Sequence, residues 1–197
     1  MNVVNLDQAA QLLKSGKIGV IPTDTVYGLV ALAANELAVA RIYKVKNRVN
    51  KPGPTIAASV DQLRDLGLLE SDLIKAAKFW PNPISIVLKP GANLAYLSQG
   101  LPDLPFRVVA NTKTSEFLQK TGALATTSAN APGEPAAENL QQAVDYFGDA
   151  VDFYVDGGEI SNALPSTIIG FDGENVKIYR EGAVTKQKIE SLKNANS

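Results

Sequence analysis

Apolar positions along this chain alternate between two spacings, the i, i+3, i+4 stripe of a helix and the short runs or every-other-residue pattern of a strand. Asn5 and Gln8 have the spacing of a capping box, which predicts a helix through Leu12 and Leu13 that stops at Gly16. Ile18, Val20 and Ile21 form a brief apolar run with polar boundaries, read as a buried strand that ends, or lies at an edge, at Pro22. Beyond it, Thr23, Asp24 and Thr25 place two hydroxyls and a carboxylate at the strand's carboxyl end, where open α/β sheets bind ligands. Gly28 gives the backbone freedom to turn or to approach a ligand closely. The competing reading of this stretch is a capped turn into the next helix, which Asn35 caps and which carries Val39, Ile42 and Tyr43 on one face.

Downstream, residues 55–60 read as a strand, with Asp61 opening helical sequence through Leu63 and Leu66. Ser71 is the expected cap of a helix bearing Leu73, Ile74 and Ala77, broken by the Trp-Pro-Asn-Pro of residues 80–83. Ile84, Ile86 and Leu88 alternate as a strand with one buried face, and residues 90–93 read as a turn. Residues 106–110 predict another strand, with Arg107 inside an apolar pattern as either a paired edge residue or a ligand contact. Thr114 is the expected cap of a helix with Phe117 and Leu118, closed by Gly122. Small residues at 123–126 predict a strand that delivers Thr127, Ser128 and Asn130 into an irregular loop. A helix around Leu140, Val144 and Phe147 ends at Gly148, and residues 152–156 are strand-like. Residues 168–171 and 176–179 form a hairpin about Asp172-Gly173, and a last amphipathic helix holds Ile189 and Leu192. Alternating helices and strands, with no repeat or linker, predict an α/β fold: one domain over residues 1–197, an open twisted mixed sheet with flanking helices.

Composition narrows the chemistry. The chain is 45% apolar, enough for a sizeable core, and its 19 Lys plus Arg against 20 Asp plus Glu leave a net charge of −1. Attraction to anions must therefore come from local clustering. With no Cys there is no disulfide or thiolate chemistry, and with no His there is no imidazole base and no Ser-His-Asp triad. The amino terminus lacks the pattern of a secretory signal, and the most apolar span is interrupted by Pro22, Asp24 and Gly28, so the expectation is a soluble, cytoplasmic protein without a membrane span.

One local cluster stands out. Arg41, Lys44, Lys46, Arg48 and Lys51 put five cations in eleven residues, and no acid lies between Leu37 and Val60. On a continuing helix Lys46 and Arg48 splay apart, whereas in an extended loop, favoured by Pro52 and Pro54, they point the same way. The run reads either as a solvated face or as an anion-binding surface. Neither a P-loop nor a dinucleotide fingerprint is present. The remaining polar groups at strand ends (Thr23, Thr25, Lys46, Arg48, Arg107, Ser128, Asn130, Ser166, Arg180) suit phosphates and carboxylates, which arginine binds through paired charge-assisted hydrogen bonds. Such a site works by positioning and charge neutralisation.

The motifs PTDTVYGL at 22–29, KNR at 46–48, WPNP at 80–83, SAN at 128–130, Ser166-Thr167 and the Arg-x-Gly of 180–182 resemble, in order, those of the YrdC/TsaC family of L-threonylcarbamoyladenylate synthases, in its short single-domain form. The resemblance implies a YrdC-like fold with a cationic cavity. It also implies a nucleotidyltransferase that joins L-threonine, bicarbonate and ATP, with Mg2+ accompanying the nucleotide, into threonylcarbamoyl-AMP and pyrophosphate. The product feeds N6-threonylcarbamoyladenosine formation at position 37 of tRNA through a downstream transferase complex. Carried over by motif, Lys46, Arg48, Ser128 and Asn130 are the expected catalytic residues. Thr25, Arg107 and Ser166 are the expected threonine contacts. Lys44, Lys46, Arg48, Ser128, Asn130 and Arg180 are expected on ATP, and no residue is expected to ligate a metal. The chain departs from the family pattern at Val49, Val109 and Thr127, where proline is usual, and at Asn82, where glycine is common. Two other readings remain at this stage: an RNA-binding module using the cationic run without chemistry, and a relative acting on another amino acid.

Overall fold

The computed structural model describes residues 1–109, 112–161, 163–173 and 175–195. The chain builds one mixed sheet. In chain order its strands are β1 (Gly19–Pro22), β2 (Tyr27–Leu32), β3 (Thr55–Ala57), β4 (Ile84–Leu88), β5 (Leu104–Val108), β6 (Leu124–Ser128), β7 (Phe153–Tyr154), β8 (Thr167–Asp172) and β9 (Asn175–Arg180). Across the sheet they run β7-β1-β2-β6-β3-β5-β4-β8-β9. The pairs β7–β1, β3–β5 and β4–β8 are parallel and the rest antiparallel.

Helices cover both faces, and strand alternation divides the core between them. Helices α1 (Leu6–Lys14) and α5 (Lys113–Thr121) bring Ala9, Leu13, Phe117 and Leu118 onto Val30, Ile56 and Leu124. Helices α2 (Glu36–Val45), α3 (Val60–Asp65), α4 (Glu70–Ala77), α6 (Leu140–Phe147) and α7 (Lys186–Ala195) bring Val39, Ile42, Leu63, Leu73, Ala143 and Ile189 onto Leu29, Ala31 and Ala57, the neighbours that point the other way. The predicted capping box at Asn5 forms, Asn35 and Asn139 cap α2 and α6, and Gly122 and Gly148 close α5 and α6.

Several local expectations are corrected. No turn forms at Gly28; residues 27–32 return as a strand, and a Cβ at Gly28 would lie 2.8 Å from Thr126 Oγ1, so glycine serves close strand approach there. The third strand is only Thr55–Ala57, because Ser59 turns the chain and caps α3. Helix α4 starts at Glu70 after Leu69, which leaves Ser71 inside it, and Thr112 rather than Thr114 caps α5. Residues 92–98 wind into a 3-10 helix where a simple turn was expected. Ile84, Ser85 and Ile86 are all buried, so β4 shows no exposed face there, consistent with its place between β5 and β8. Strand β6 extends through Ser128, so Thr127 and Ser128 are strand residues and the irregular loop begins after them. Ala110, the expected end of the fifth strand, lies outside the described residues.

Candidate active site

The register puts Gly28, Pro105, Arg107, Thr126, Ser128 and Ile168 on the same sheet face as Val30, Ile56 and Leu124. Where α1 and α5 cover that face, the strand residues are large and apolar. Beyond the helices most of them become small or polar, Ile168 apart, and a cavity opens. Around it stand Thr23, Thr25 and Val26 from the β1–β2 turn, Arg48 from the loop after α2, and the Pro52-Gly53-Pro54 segment. Thr127, Pro165, Ser166 and Arg180 complete the wall. A Cβ at Gly53 would lie 2.0 Å from the Thr126 carbonyl oxygen, so only glycine lets this segment close against β6.

At the floor, Arg107 is 3% exposed and donates through Nη1 to Asp24 Oδ2 at 2.5 Å. The two alternatives for Arg107 thus resolve as a buried, paired residue of an interior strand that also lines the cavity. The pair is half satisfied. Arg107 Nε and Asp24 Oδ1 are buried without a partner, as are Thr127 Oγ1 and Thr55 Oγ1, which the register places on the opposite sheet face. Buried polar atoms left unpaired are costly, so the half-satisfied ion pair carries an energetic penalty. Thr23 organises the turn that carries Asp24: its hydroxyl donates to the Val26 carbonyl at 2.6 Å and accepts the Thr25 N–H at 3.2 Å. Thr25 is thereby held, buried, against the cavity.

At the rim, α2 ends in a reversal. Asn47 takes a left-handed φ of 48°, and the Arg48 N–H reaches back to the Tyr43 carbonyl at 3.0 Å. This reversal is neither the continuing helix nor the extended loop considered from sequence, and it sends Lys46 and Arg48 to different tasks. Arg48 lines the cavity. Lys46 is buried, and its ammonium donates to the Ser128 carbonyl at 3.0 Å, to the Asn130 side-chain oxygen at 2.6 Å and to the Asn130 carbonyl. Ser128 Oγ donates to the same Asn130 oxygen at 2.8 Å, and Asn130 Nδ2 donates to the Glu134 carbonyl at 2.6 Å. Lys46 and Asn130 thus fasten the loop after β6, while Ser128 also faces the cavity. The other end of the wall is bound similarly: Arg180 Nη2 donates to the Ser166 carbonyl at 2.7 Å, and the Ser166 and Ser85 hydroxyls meet at 2.8 Å.

Electrostatically the cavity invites an anion. Burial lowers the pKa of Arg48, Arg107 and Arg180 below the ordinary guanidinium value; at Arg48 the nearby Arg180 charge lowers it further, against the opposing influence of Tyr43. All three stay protonated at neutral pH, and Asp24 is paired with Arg107 alone among them. Burial, with the charge of Arg48 added, brings the Lys46 ammonium down to about 8.

Of the residues singled out from sequence, the structure therefore gathers Thr25, Arg48, Arg107, Ser128, Ser166 and Arg180 around one cavity. Lys46 and Asn130 stand behind it, and Lys44 is exposed on α2. The cationic run does not form a single face: Arg41 pairs with Asp152 at 2.8 Å, Lys46 turns inward, Arg48 faces the cavity, and Lys44 and Lys51 remain exposed. Sequence reasoning missed Asp24 as the partner of Arg107, and it missed Gly53 and Thr126. A lone carboxylate at a strand end and a lone arginine inside another strand were the available signal for the first. The departures from the family pattern also find places. Val109 donates its N–H to the Ala57 carbonyl at 2.9 Å, a bond that proline would lose, and Asn82 Nδ2 donates to the Phe79 carbonyl at 2.8 Å.

Known proteins resemble this chain in sequence and fold. The Sua5/YciO/YrdC family model, described as "Telomere recombination", matches residues 11–182. A threonylcarbamoyl-AMP synthase of Bacillus subtilis is 30% identical over 198 residues, covering 97% of this chain and 57% of the relative. A putative threonylcarbamoyl-AMP synthase of Mycobacterium tuberculosis is 31% identical over 187 residues, covering 92% of this chain and 85% of its own length. The crystal structure of P. abyssi Sua5 complexed with L-threonine superposes with a TM-score of 0.87 at 28% identity, over 98% of this chain and 61% of that one. The chain thus spans little more than half the length of the first and third of these relatives.

Proposed function

The chain belongs to the Sua5/YciO/YrdC family, and on that premise we propose that it is a threonylcarbamoyl-AMP synthase, a nucleotidyltransferase acting on L-threonine, bicarbonate and ATP. The observation that carries this reading is the convergence of three arginines and the hydroxyls of Thr25, Ser128 and Ser166 on one cavity. Arg107, Thr25 and Ser166 take the amino acid, with the charge of the cavity-lining Arg107 set toward its carboxylate. Arg48, Arg180 and Ser128 take the polyphosphate, while Lys46 and Asn130 act by holding the loop that presents Ser128. Lys44 serves only as an outer, solvent-facing contact.

The reaction needs little covalent help from the protein. The threonine amine and bicarbonate give a carbamate and water. A carbamate oxygen then attacks the α-phosphorus as the bond to the bridging oxygen breaks and pyrophosphate departs. The arginines offset the charge that moves onto the leaving group, and positioning supplies much of the rest. Among the described residues no group of three His, Cys, Asp or Glu could hold a metal ion, and the one carboxylate at the cavity floor is engaged by Arg107. In this reading magnesium enters with the substrate, accompanying ATP. No described helix is long and apolar enough to cross a membrane. A cytoplasmic protein supplying a tRNA-modifying transferase fits the proposed product.

Pyrophosphate release from ATP that requires both L-threonine and bicarbonate is the expected result. Release that is indifferent to either, or its absence with all three present, overturns the reading.

A further inference from the structure

Three described residues other than glycine have positive φ, and all three belong to one unit. Asn47 (φ 48°) and Asn50 (φ 52°) flank Arg48 in its loop, and Gln99 (φ 53°) ends the 3-10 helix Ala92–Ser98. Left-handed backbone is tolerated by asparagine and uncommon for a longer side chain, and such strain persists where the surroundings enforce it. Glycine would adopt φ 53° freely, so a glutamine at this position calls for a role of its side chain.

Contacts on the page supply one. Gln99 Nε2 donates to the Arg48 carbonyl at 2.9 Å, and Gln99 Oε1 accepts the Lys51 N–H at 2.9 Å. One planar amide thus grips residues 48–51 at both ends, through the backbone, without touching the guanidinium. The gripping element is itself anchored, because the buried Tyr43 hydroxyl of α2 donates to the Leu97 carbonyl at 2.7 Å. Helix, loop and clamp form one closed frame around Arg48.

We propose that Gln99 is a positioning residue whose side-chain amide holds the Arg48 loop in the shape that turns Arg48 into the cavity, and so sets the affinity for the nucleotide's polyphosphate. The choice of ligand rests on the synthase reading; the clamp does not. The clamp's hydrogen bonds run to the backbone at Arg48 and Lys51, on the side of the cavity opposite in role to Thr25, Arg107 and Ser166, so the effect is expected on the nucleotide and not on the amino acid.

Gln99→Gly is the informative variant, because it relieves the strained backbone while removing the amide. Calorimetry with ATP and with L-threonine, thermal melting and amide hydrogen exchange at Lys51 are measured on the full chain. The expected result is a melting midpoint at or above wild type, an ATP Kd raised about 10- to 100-fold, as misplacement of a binding group by about an ångström produces, and an unchanged threonine Kd. In an Arg48→Ala background the same change is expected to add no further loss of ATP affinity, which locates its action in Arg48. Wild-type ATP affinity in Gln99→Gly, or an equal loss with and without Arg48, overturns the inference. Should wild-type protein bind no ATP, the synthase reading fails. Exchange at Lys51 then decides the clamp: it is faster in Gln99→Gly if the clamp exists and equal to wild type if it does not.

Discussion

Arg107 and Arg48 face the same cavity and are held there by opposite means. Arg107 is fixed by the sheet: it sits on an interior strand, paired through register with Ile56, and its guanidinium is buried against Asp24. Arg48 is fixed by a loop in left-handed turns, gripped by the amide of Gln99. The floor therefore couples charge to stability, because removing either partner strands a buried ion. At the rim charge is separate from stability, because the Arg48 guanidinium has no carboxylate partner among the described residues to leave behind. A single cavity thus combines a half held by the sheet, matched to the proposed amino acid, with a half held by a clamped loop, matched to the proposed polyphosphate.

The sharpest way to break this contrast is at the floor. Arg107→Ala is expected to cost about 3–5 kcal/mol of unfolding free energy by leaving Asp24 buried and unpaired. The double change Arg107→Met with Asp24→Leu should recover most of that loss in chemical denaturation without restoring activity. At the rim, Arg48→Ala should lower kcat/KM for pyrophosphate release by about 10²–10³, the usual effect of losing one charge-stabilising donor. Its unfolding free energy should change by no more than about 0.5 kcal/mol. Equal stability losses at Arg48 and Arg107 would erase the distinction.

Between floor and rim, Gly53→Ala places a methyl 2.0 Å from the Thr126 carbonyl oxygen. It is expected to cost about 1–3 kcal/mol, as overpacking does, and to weaken ATP more than threonine in parallel titrations.

The smallest effect is a pH dependence at Lys46. Its pKa is lowered to about 8 from 10.5, so between those values the folded protein binds fewer protons than the unfolded chain. This group's contribution to stability therefore rises with pH across that window. Deprotonation also removes one of the N–H donors that fasten Asn130 and Ser128, so turnover should fall as pH passes about 8. Melting and rate profiles between pH 7 and 10 should slope in opposite directions; parallel slopes would detach Lys46 from the loop after β6.

Much of the architecture was legible because it is local. The capping box at Asn5, the cap at Asn35, the glycines ending α5 and α6 and the β8–β9 hairpin each follow from residues within one or two turns of chain. The second strand escaped notice because residues 27–32 are apolar on both faces and carry no alternation; their extended form is fixed by partners on β1 and on β6, about a hundred residues away. The helix reversal at Asn47 was equally hidden, since asparagine accepts left-handed backbone in many contexts.

What the chain order alone determined was the supply of parts: alternating helices and strands, a chemistry without histidine or cysteine, and polar motifs whose sequence matches the family. What only the folded molecule decided was their division of labour. Sheet register, which joins residues far apart in sequence, brought Asp24 to Arg107, and helix termination turned neighbouring Lys46 and Arg48 in different directions. The physical reason is that a side chain's identity sets which bonds it can make, whereas burial and distance, both products of the whole fold, set which of those bonds it does make.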